Sequence, residues 1–272
     1  MSSRLAVIGG GNMGLALASS LARAHPDAAI AVADPQRSQL ERFNDMANVR
    51  TTTDNLEAAK SVDALLLAVK PQMLKPVVEE LRELSIAVLV ISVAAGVTLE
   101  TIARWFGGAR PIVRCMPNTP VLVSKGVAGA IGNAEVTDGH RQLVDRLLRP
   151  GCEIVWLESD RDLDVVTAVS GSGPAYFFYL MEAMMESARR LGMPQELARK
   201  LVVRTATGAA AMAEQPERTP SELRHQVTSP RGTTQAAIEA LDLEHVRDTW
   251  SQAIDAAFER SKELGRELSC TG

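Results

Sequence analysis

Leu5-Ala6-Val7-Ile8 runs straight into Gly9-Gly10-Gly11-Asn12-Met13-Gly14, and a helical pattern follows through Leu15, Leu17, Ala18 and Leu21. A buried strand, a tight glycine turn and a helix start, in that order, predict a G-x-G-x-x-G phosphate turn with the helix N-terminus facing a pyrophosphate. Gly9 makes the turn, Gly11 lets the backbone approach the phosphates, and Gly14 lets the helix lie close on the strand. The next strand, expected over 28–33, ends in Asp34, twenty residues beyond Gly14. That is where such a unit places the acid that accepts hydrogen bonds from the adenosine ribose. Asp34 argues for NAD, whereas Arg37, three residues on, could meet a 2′-phosphate, so NADH and NADPH both stay open.

Outward from this unit, apolar runs at 64–69, 86–93 and 112–115 alternate with helical stretches at 72–84 and 99–106. The alternation predicts a mostly parallel sheet covered on both faces, with ligands at the carboxyl ends of its strands. Those ends read Val69-Lys70-Pro71, Ala94-Ala95-Gly96 and Met116-Pro117-Asn118-Thr119-Pro120, small or polar where a flat cofactor needs room. Residues 121–131 read as further strand and turn, 137–148 as a helix capped by Thr137, and 153–157 as a last edge strand. There the alternation stops. The expected division is 1–158, a dinucleotide-binding domain, and 159–272, a helical domain.

The second half reads as helix upon helix. Ser170-Gly171-Ser172-Gly173-Pro174 punctuates the first pair. The helix over 175–191 then confines Glu182, Glu186, Arg189 and Arg190 to a narrow face and is otherwise apolar, so it must be covered on most sides. Gly192 closes it and Pro194 opens the next, where Ala206, Gly208, Ala209 and Ala210 allow close helix approach. Thr219-Pro220-Ser221-Glu222 is a capping box, and a final helix spans 246–268. A bundle this apolar could bury its surplus surface in a second copy of itself. Between the capping box and the last helix lies Val227-Thr228-Ser229-Pro230-Arg231-Gly232-Thr233-Thr234, a hydroxyl-rich turn delivered into a helix start. Its unpaired N–H groups would make a carboxylate seat.

Composition sets the outer limits. The chain has 272 residues, 46% of them hydrophobic, and a net charge of -4, which offers no broad basic surface for nucleic acid or anionic lipid. A small molecule is the expected partner. Cys115, Cys152 and Cys270 are odd in number and lack metal or disulfide spacing, which fits a reducing cytosol and no metal. No run approaches the roughly 18 apolar residues of a membrane span. Met1-Ser2-Ser3-Arg4 enters the first strand without the apolar region of a secretory leader.

The chain resembles the pyrroline-5-carboxylate reductases over essentially its whole length. The 9–14 turn, Ala68-Val69-Lys70-Pro71-Gln72 and Arg114-Cys115-Met116-Pro117-Asn118-Thr119-Pro120 match that family's cofactor half. Residues 164–176, Asp164-Val165-Val166-Thr167-Ala168-Val169-Ser170-Gly171-Ser172-Gly173-Pro174-Ala175-Tyr176, and the 228–234 loop are more specific still. The resemblance implies an α/β fold: an N-terminal Rossmann-type mostly parallel sheet with a C-terminal all-α dimerisation domain. It also implies NADPH- or NADH-dependent reduction of 1-pyrroline-5-carboxylate to L-proline by a cytoplasmic homodimer, with a decamer of dimers as a larger assembly. Substrate contacts carry over to Ser229, Gly232, Thr233 and Thr234, with Gln226, Asp160 and Thr167 as further candidates. Cofactor contacts carry over to Gly9, Gly10, Gly11, Asn12, Met13, Gly14, Asn55, Val69, Lys70, Pro71, Ala94, Ala95 and Gly96. Arg231 departs from the family, whose loop usually has glycine or asparagine there; a positive φ would strain it by about 1 kcal/mol or more.

The chemistry fits these residues. A cyclic imine arrives protonated or nearly so, and its carbon already accepts hydride, so positioning can do most of the work. Thr234 is the expected partner of the ring nitrogen. His225, like His25, His140 and His245, is expected on a helix surface. A hydroxyacid dehydrogenase would place a lysine acid on the helix after Gly173-Pro174, yet no lysine occurs there up to Leu191. A dinucleotide-binding regulator would have no use for the 229–234 hydroxyls.

Overall fold

The computed structural model describes residues 4–215 and 217–270, with side chains to 267. The Met1-Ser2-Ser3 start and the Cys270 side chain lie outside them. The chain alternates β1 Arg4–Ile8, α1 Asn12–Ala24, β2 Ala29–Ala33, α2 Arg37–Leu40, β3 Val49–Thr52, α3 Asn55–Ala58, β4 Ala64–Leu67 and α4 Pro71–Glu80. It continues through β5 Leu89–Ser92, α5 Leu99–Phe106, β6 Ile112–Pro117, β7 Gly126–Gly132, α6 Asp138–Leu148, β8 Cys152–Trp156 and α7 Asp160–Val166.

One sheet takes the strands in the order β3-β2-β1-β4-β5-β6-β7-β8. All pairs from β3 to β6 are parallel. The middle strands are continuously apolar because both faces are covered. On one face lie Leu17 and Leu21 of α1 with Val144 and Leu147 of α6. On the other lie Leu74 and Val78 of α4 with Ile102, Trp105 and Phe106 of α5. β7 turns back antiparallel to β6. Its connection is short and holds a 3-10 turn at Thr119–Val123, whereas a parallel return needs about a dozen residues or more. α6 then carries the chain to β8, parallel to β7 and at the edge.

β3 was not legible in the sequence. Val49-Arg50-Thr51-Thr52 is largely polar and exposed, and only its pairing with β2 makes it a strand. The helix expected over 72–84 stops at Glu80, and the strand expected from 86 begins at Leu89, with Ile86 exposed between them.

The chain packs as two compact units, Gly173–Asp255 forming one and the described residues on either side the other. Packing thus divides later than the expected 158/159 break, because α7 lies on the sheet. A methyl on Gly129 of β7 would come within 3.1 Å of both Val166 and Leu163 of α7. The Ser170-to-Pro174 punctuation separates two helices, as expected, with a bend at Ser172. Thr167–Gly171 widens into a π turn, closed by Ser172 N–H donating to the Thr167 carbonyl at 2.9 Å. Pro174 then falls in the first turn of α8 Gly173–Arg190, where a missing N–H costs nothing.

α9 Gln195–Ala213, α10 Pro220–Gln226, α11 Thr233–Leu243 and α12 Val246–Cys270 complete the chain. The Thr219 capping box is present, and its bonds hold the Glu222 carboxyl below the usual range. The apolar bulk of α8 is not covered within the chain: Phe177, Phe178 and Tyr179 are 64%, 58% and 71% exposed. Among the described residues no helix is long and apolar enough to cross a membrane, and no His, Cys, Asp and Glu group could hold a metal ion.

Candidate active site

The strand order reverses between β1 and β4, and the crevice at their carboxyl ends is the binding position of a doubly wound sheet. The glycine turn sits there. Gly9 has φ 106°, its N–H donates to the Ala33 carbonyl at 2.8 Å, and a methyl on it would lie 2.7 Å from the Ala68 carbonyl. A methyl on Gly14 would collide with the Gly9 carbonyl, whereas one on Gly11 would meet nothing within 4 Å. Two glycines are therefore demanded by the protein, and the third faces open space.

Asp34 follows β2 and is half-buried. Its carboxylate accepts the Gly10 N–H and the Gln36 N–H, each at 2.8 Å, so it braces the glycine turn. Arg37 opens α2 and is exposed. Arg42, which sequence reasoning missed, donates to the Asn12 side chain at 3.2 Å and to Gln39 at 2.9 Å. It is the cation that reaches the turn. Only the fold of 37–43 reveals it. Asn55 opens α3 and donates to Glu80 at 2.7 Å, Lys70 is the exposed N-cap of α4 with Pro71 behind it, and Ala94, Ala95 and Gly96 follow β5. All of these cofactor candidates thus fall in one unit, on the carboxyl-end side of its strands.

Of the further substrate candidates, Asp160 and Thr167 belong to that same unit. Asp160 is paired with Arg114 of β6, whose side chain is only 5% exposed, so it anchors the start of α7 to the sheet. Buried Arg114, also unforeseen, keeps one nitrogen, Nε, without a hydrogen-bond partner. Thr167 donates its hydroxyl to the Leu163 carbonyl at 2.8 Å. Asn118 is buried, accepts the Val127 N–H at 3.0 Å and donates to the Ser170 carbonyl at 3.1 Å, so it holds the π turn against the sheet.

Ser229, Gly232, Thr233 and Thr234 lie together in the helical unit. Gly232 is the N-cap of α11 without a side-chain cap bond. Among the described residues nothing accepts the N–H groups of Thr233 and Thr234 or engages their hydroxyls. Arg231 has φ 60°, a conformation that strains a non-glycine residue, with its N–H donating to the Gln235 side chain at 2.6 Å. Gln226 accepts from Arg218 at 2.7 Å. His225 is exposed, while His140 closes the capping box of α6.

A doubly wound sheet with a glycine turn at its switch point, followed by a helical unit with a hydroxyl-lined helix start, defines a nicotinamide-dinucleotide-dependent oxidoreductase acting on a small anionic substrate. Over 267 residues the chain is 41% identical to the pyrroline-5-carboxylate reductase of Pseudomonas aeruginosa, covering 97% of this chain and 98% of that one. The chain belongs to the pyrroline-5-carboxylate reductase family. Residues 160–264 match the family model described as pyrroline-5-carboxylate reductase dimerisation, and residues 4–96 that described as NADP oxidoreductase, coenzyme F420-dependent. The solved structure of the Coxiella burnetii pyrroline-5-carboxylate reductase superimposes with a TM-score of 0.90 at 39% identity, covering 97% of this chain and 99% of that one. The Plasmodium falciparum pyrroline carboxylate reductase, solved with NADP bound, gives 0.86 at 27% identity, covering 97% and 98%.

Proposed function

We infer that this chain reduces 1-pyrroline-5-carboxylate to L-proline with NADPH or NADH, as a cytoplasmic homodimer. The geometric observation that carries the reading is the start of α11, where two N–H groups and two hydroxyls have no partner among the described residues, on a loop of hydroxyl residues. Bound at the 9–14 turn, the reduced dinucleotide supplies a hydride. Ser229, Gly232 and Thr233 hold the substrate carboxylate through N–H and hydroxyl donors, aided by the helix dipole. Thr234 hydrogen-bonds the ring nitrogen and holds its proton in place while the imine carbon is attacked. Gln226, Asp160 and Thr167 remain the further candidates for substrate contact. Hydride transfer needs both loops at one cleft, in one subunit or across two.

Thr234→Ala is expected to lower kcat by about 100-fold, the loss typical of one transition-state donor, while dinucleotide affinity measured by fluorescence stays within about twofold. Unchanged turnover would remove Thr234 from the mechanism. No oxidation of NADH or NADPH on addition of pyrroline-5-carboxylate would remove the reductase reading altogether.

Asp34 is the group that discriminates between the two dinucleotides. At about 5 Å and an effective dielectric near 20, like unit charges repel by about 3 kcal/mol, reduced by solvent at this partly exposed site. Asp34→Asn is expected to raise the NADPH-to-NADH ratio of kcat/KM by about tenfold, because Arg37 and Arg42 then meet a 2′-phosphate unopposed. An unmoved ratio would take Asp34 out of the ribose site.

The dimer reading rests on α8. Phe177, Phe178 and Tyr179 are consecutive and sweep about 200° around the helix at 100° per residue. One intrachain neighbour cannot cover them, so 159–272 is read as the dimerisation and substrate region, with a decamer of dimers as the larger assembly. Cys115 and Cys152 are free and buried, which fits a reducing cytoplasm; burial pushes both thiols up, Cys152 to about 11.

A further inference from the structure

The last turns of α12 return to the unit that carries the sheet and pack against the loop after β5. Gly96 has φ 77° and is buried. A methyl on Gly96 would lie 3.0 Å from the Gly265 nitrogen and 3.3 Å from Leu264 Cβ, and a methyl on Gly265 would lie 2.9 Å from the Gly96 carbonyl oxygen. Two glycines on elements far apart in sequence thus meet backbone to backbone. One helical turn earlier, Ser261 is 4% exposed and donates to the Asp164 carboxylate of α7 at 2.7 Å. The helix end is therefore pinned twice, to α7 and to the Ala94-Ala95-Gly96 rim.

The start of the rim is tied to the sheet and core: the Val93 N–H donates to the Leu67 carbonyl at 3.1 Å, and Ala94 is buried. Ser92 ends β5, the Ala94 N–H reaches only the Ser92 hydroxyl at 3.4 Å, and the next fixed point is buried Val97 before the Thr98 cap of α5. What stands behind Gly96 decides where the Ala95 backbone stands in front.

We propose that Gly265 is a positioning residue for the dinucleotide: by meeting Gly96 backbone to backbone, the end of α12 forms the rear wall of the cofactor rim and sets the depth of the crevice. This rests on the reading that Ala94, Ala95 and Gly96 contact the dinucleotide. A side chain at 265 has no room unless Gly96 or the end of α12 gives way, and a close-packed interior transmits such a shift to the rim.

Two experiments on the full-length protein test it. Gly265→Ala is expected to weaken NADH and NADPH binding, read by fluorescence titration, by about tenfold while KM for pyrroline-5-carboxylate at saturating dinucleotide stays within about twofold. Hydrogen exchange on the wild type, which needs no variant to fold, is expected to slow at amides 261–267 when dinucleotide binds. A folded Gly265→Ala protein with unaltered dinucleotide affinity, or exchange at 261–267 indifferent to dinucleotide, would overturn the proposal. Wild type that binds neither dinucleotide would overturn the reductase reading and this proposal with it.

Discussion

Gly14→Ala is expected to weaken dinucleotide binding by more than about 100-fold and to lower the melting temperature by several degrees, whereas Gly11→Ala is expected to lose binding alone. The added methyl at 14 runs into the Gly9 carbonyl and lies 3.4 Å from Val7, so relief requires lifting α1 off β1. Leu17, Ala18 and Leu21 of that helix are buried in the core beneath it, and overpacking of this kind costs about 1–3 kcal/mol or more. For a domain of this size that is about 2–10 °C. The moved helix also carries its free N–H groups away from the phosphate position, so binding should weaken by more than about 100-fold. A methyl at 11 meets nothing in the protein, so the melting temperature of Gly11→Ala should stay within about a degree while the methyl occupies the space reserved for the pyrophosphate. Calorimetry beside fluorescence titration separates the two. Gly11→Ala with normal binding would place the dinucleotide elsewhere.

The same turn shows why part of the molecule could be read before it was seen. β1, the glycine turn and α1 are encoded by local periodicity and by residues whose backbone freedom is itself the signal. The Thr219 and Thr137 caps were legible for the same reason, since every partner lies within three residues. β3 was not, because Arg50, Thr51 and Thr52 carry no alternating apolar face and owe their conformation to β2. The break between α7 and α8 is legible because Ser170, Gly171, Ser172 and Gly173 are turn residues by composition, but its π-turn geometry is not, because the bond from the Asn118 side chain to the Ser170 carbonyl spans 52 residues. Arg42, Arg114 and Gly265 matter through partners 30, 46 and 169 residues away, and no spacing rule announces such pairs. Arg231 is the opposite case: a single residue out of keeping with its loop raised the question of a positive φ, and its φ is 60°. The conformation of that loop is therefore dictated by the turn into α11, and the side chain bears the strain.

The second large effect lies in the helical unit. Replacing Phe178 and Tyr179 together with aspartate is expected to convert the protein to a monomer by sedimentation velocity and to eliminate turnover. Within the chain, α8 buries only Gly173, and α9 only Ala198 and Val202, so this unit has almost no core of its own. Leu180, Met184, Leu197 and Leu201 add further exposed apolar surface on the same two helices. Burying each large side chain against a second copy contributes about 1.5–3 kcal/mol, and placing a carboxylate there instead reverses the sign. On the homodimer reading association completes this core, so loss of the dimer should also loosen α8 and α9, visible as lower helicity and as melting that depends on protein concentration in the wild type. Turnover fails with it, since Ser229, Gly232, Thr233 and Thr234 are held by the same helical unit. Dinucleotide binding, which depends on the sheet, should survive within about threefold. An active monomer carrying both aspartates would show that the exposed face of α8 serves some other purpose.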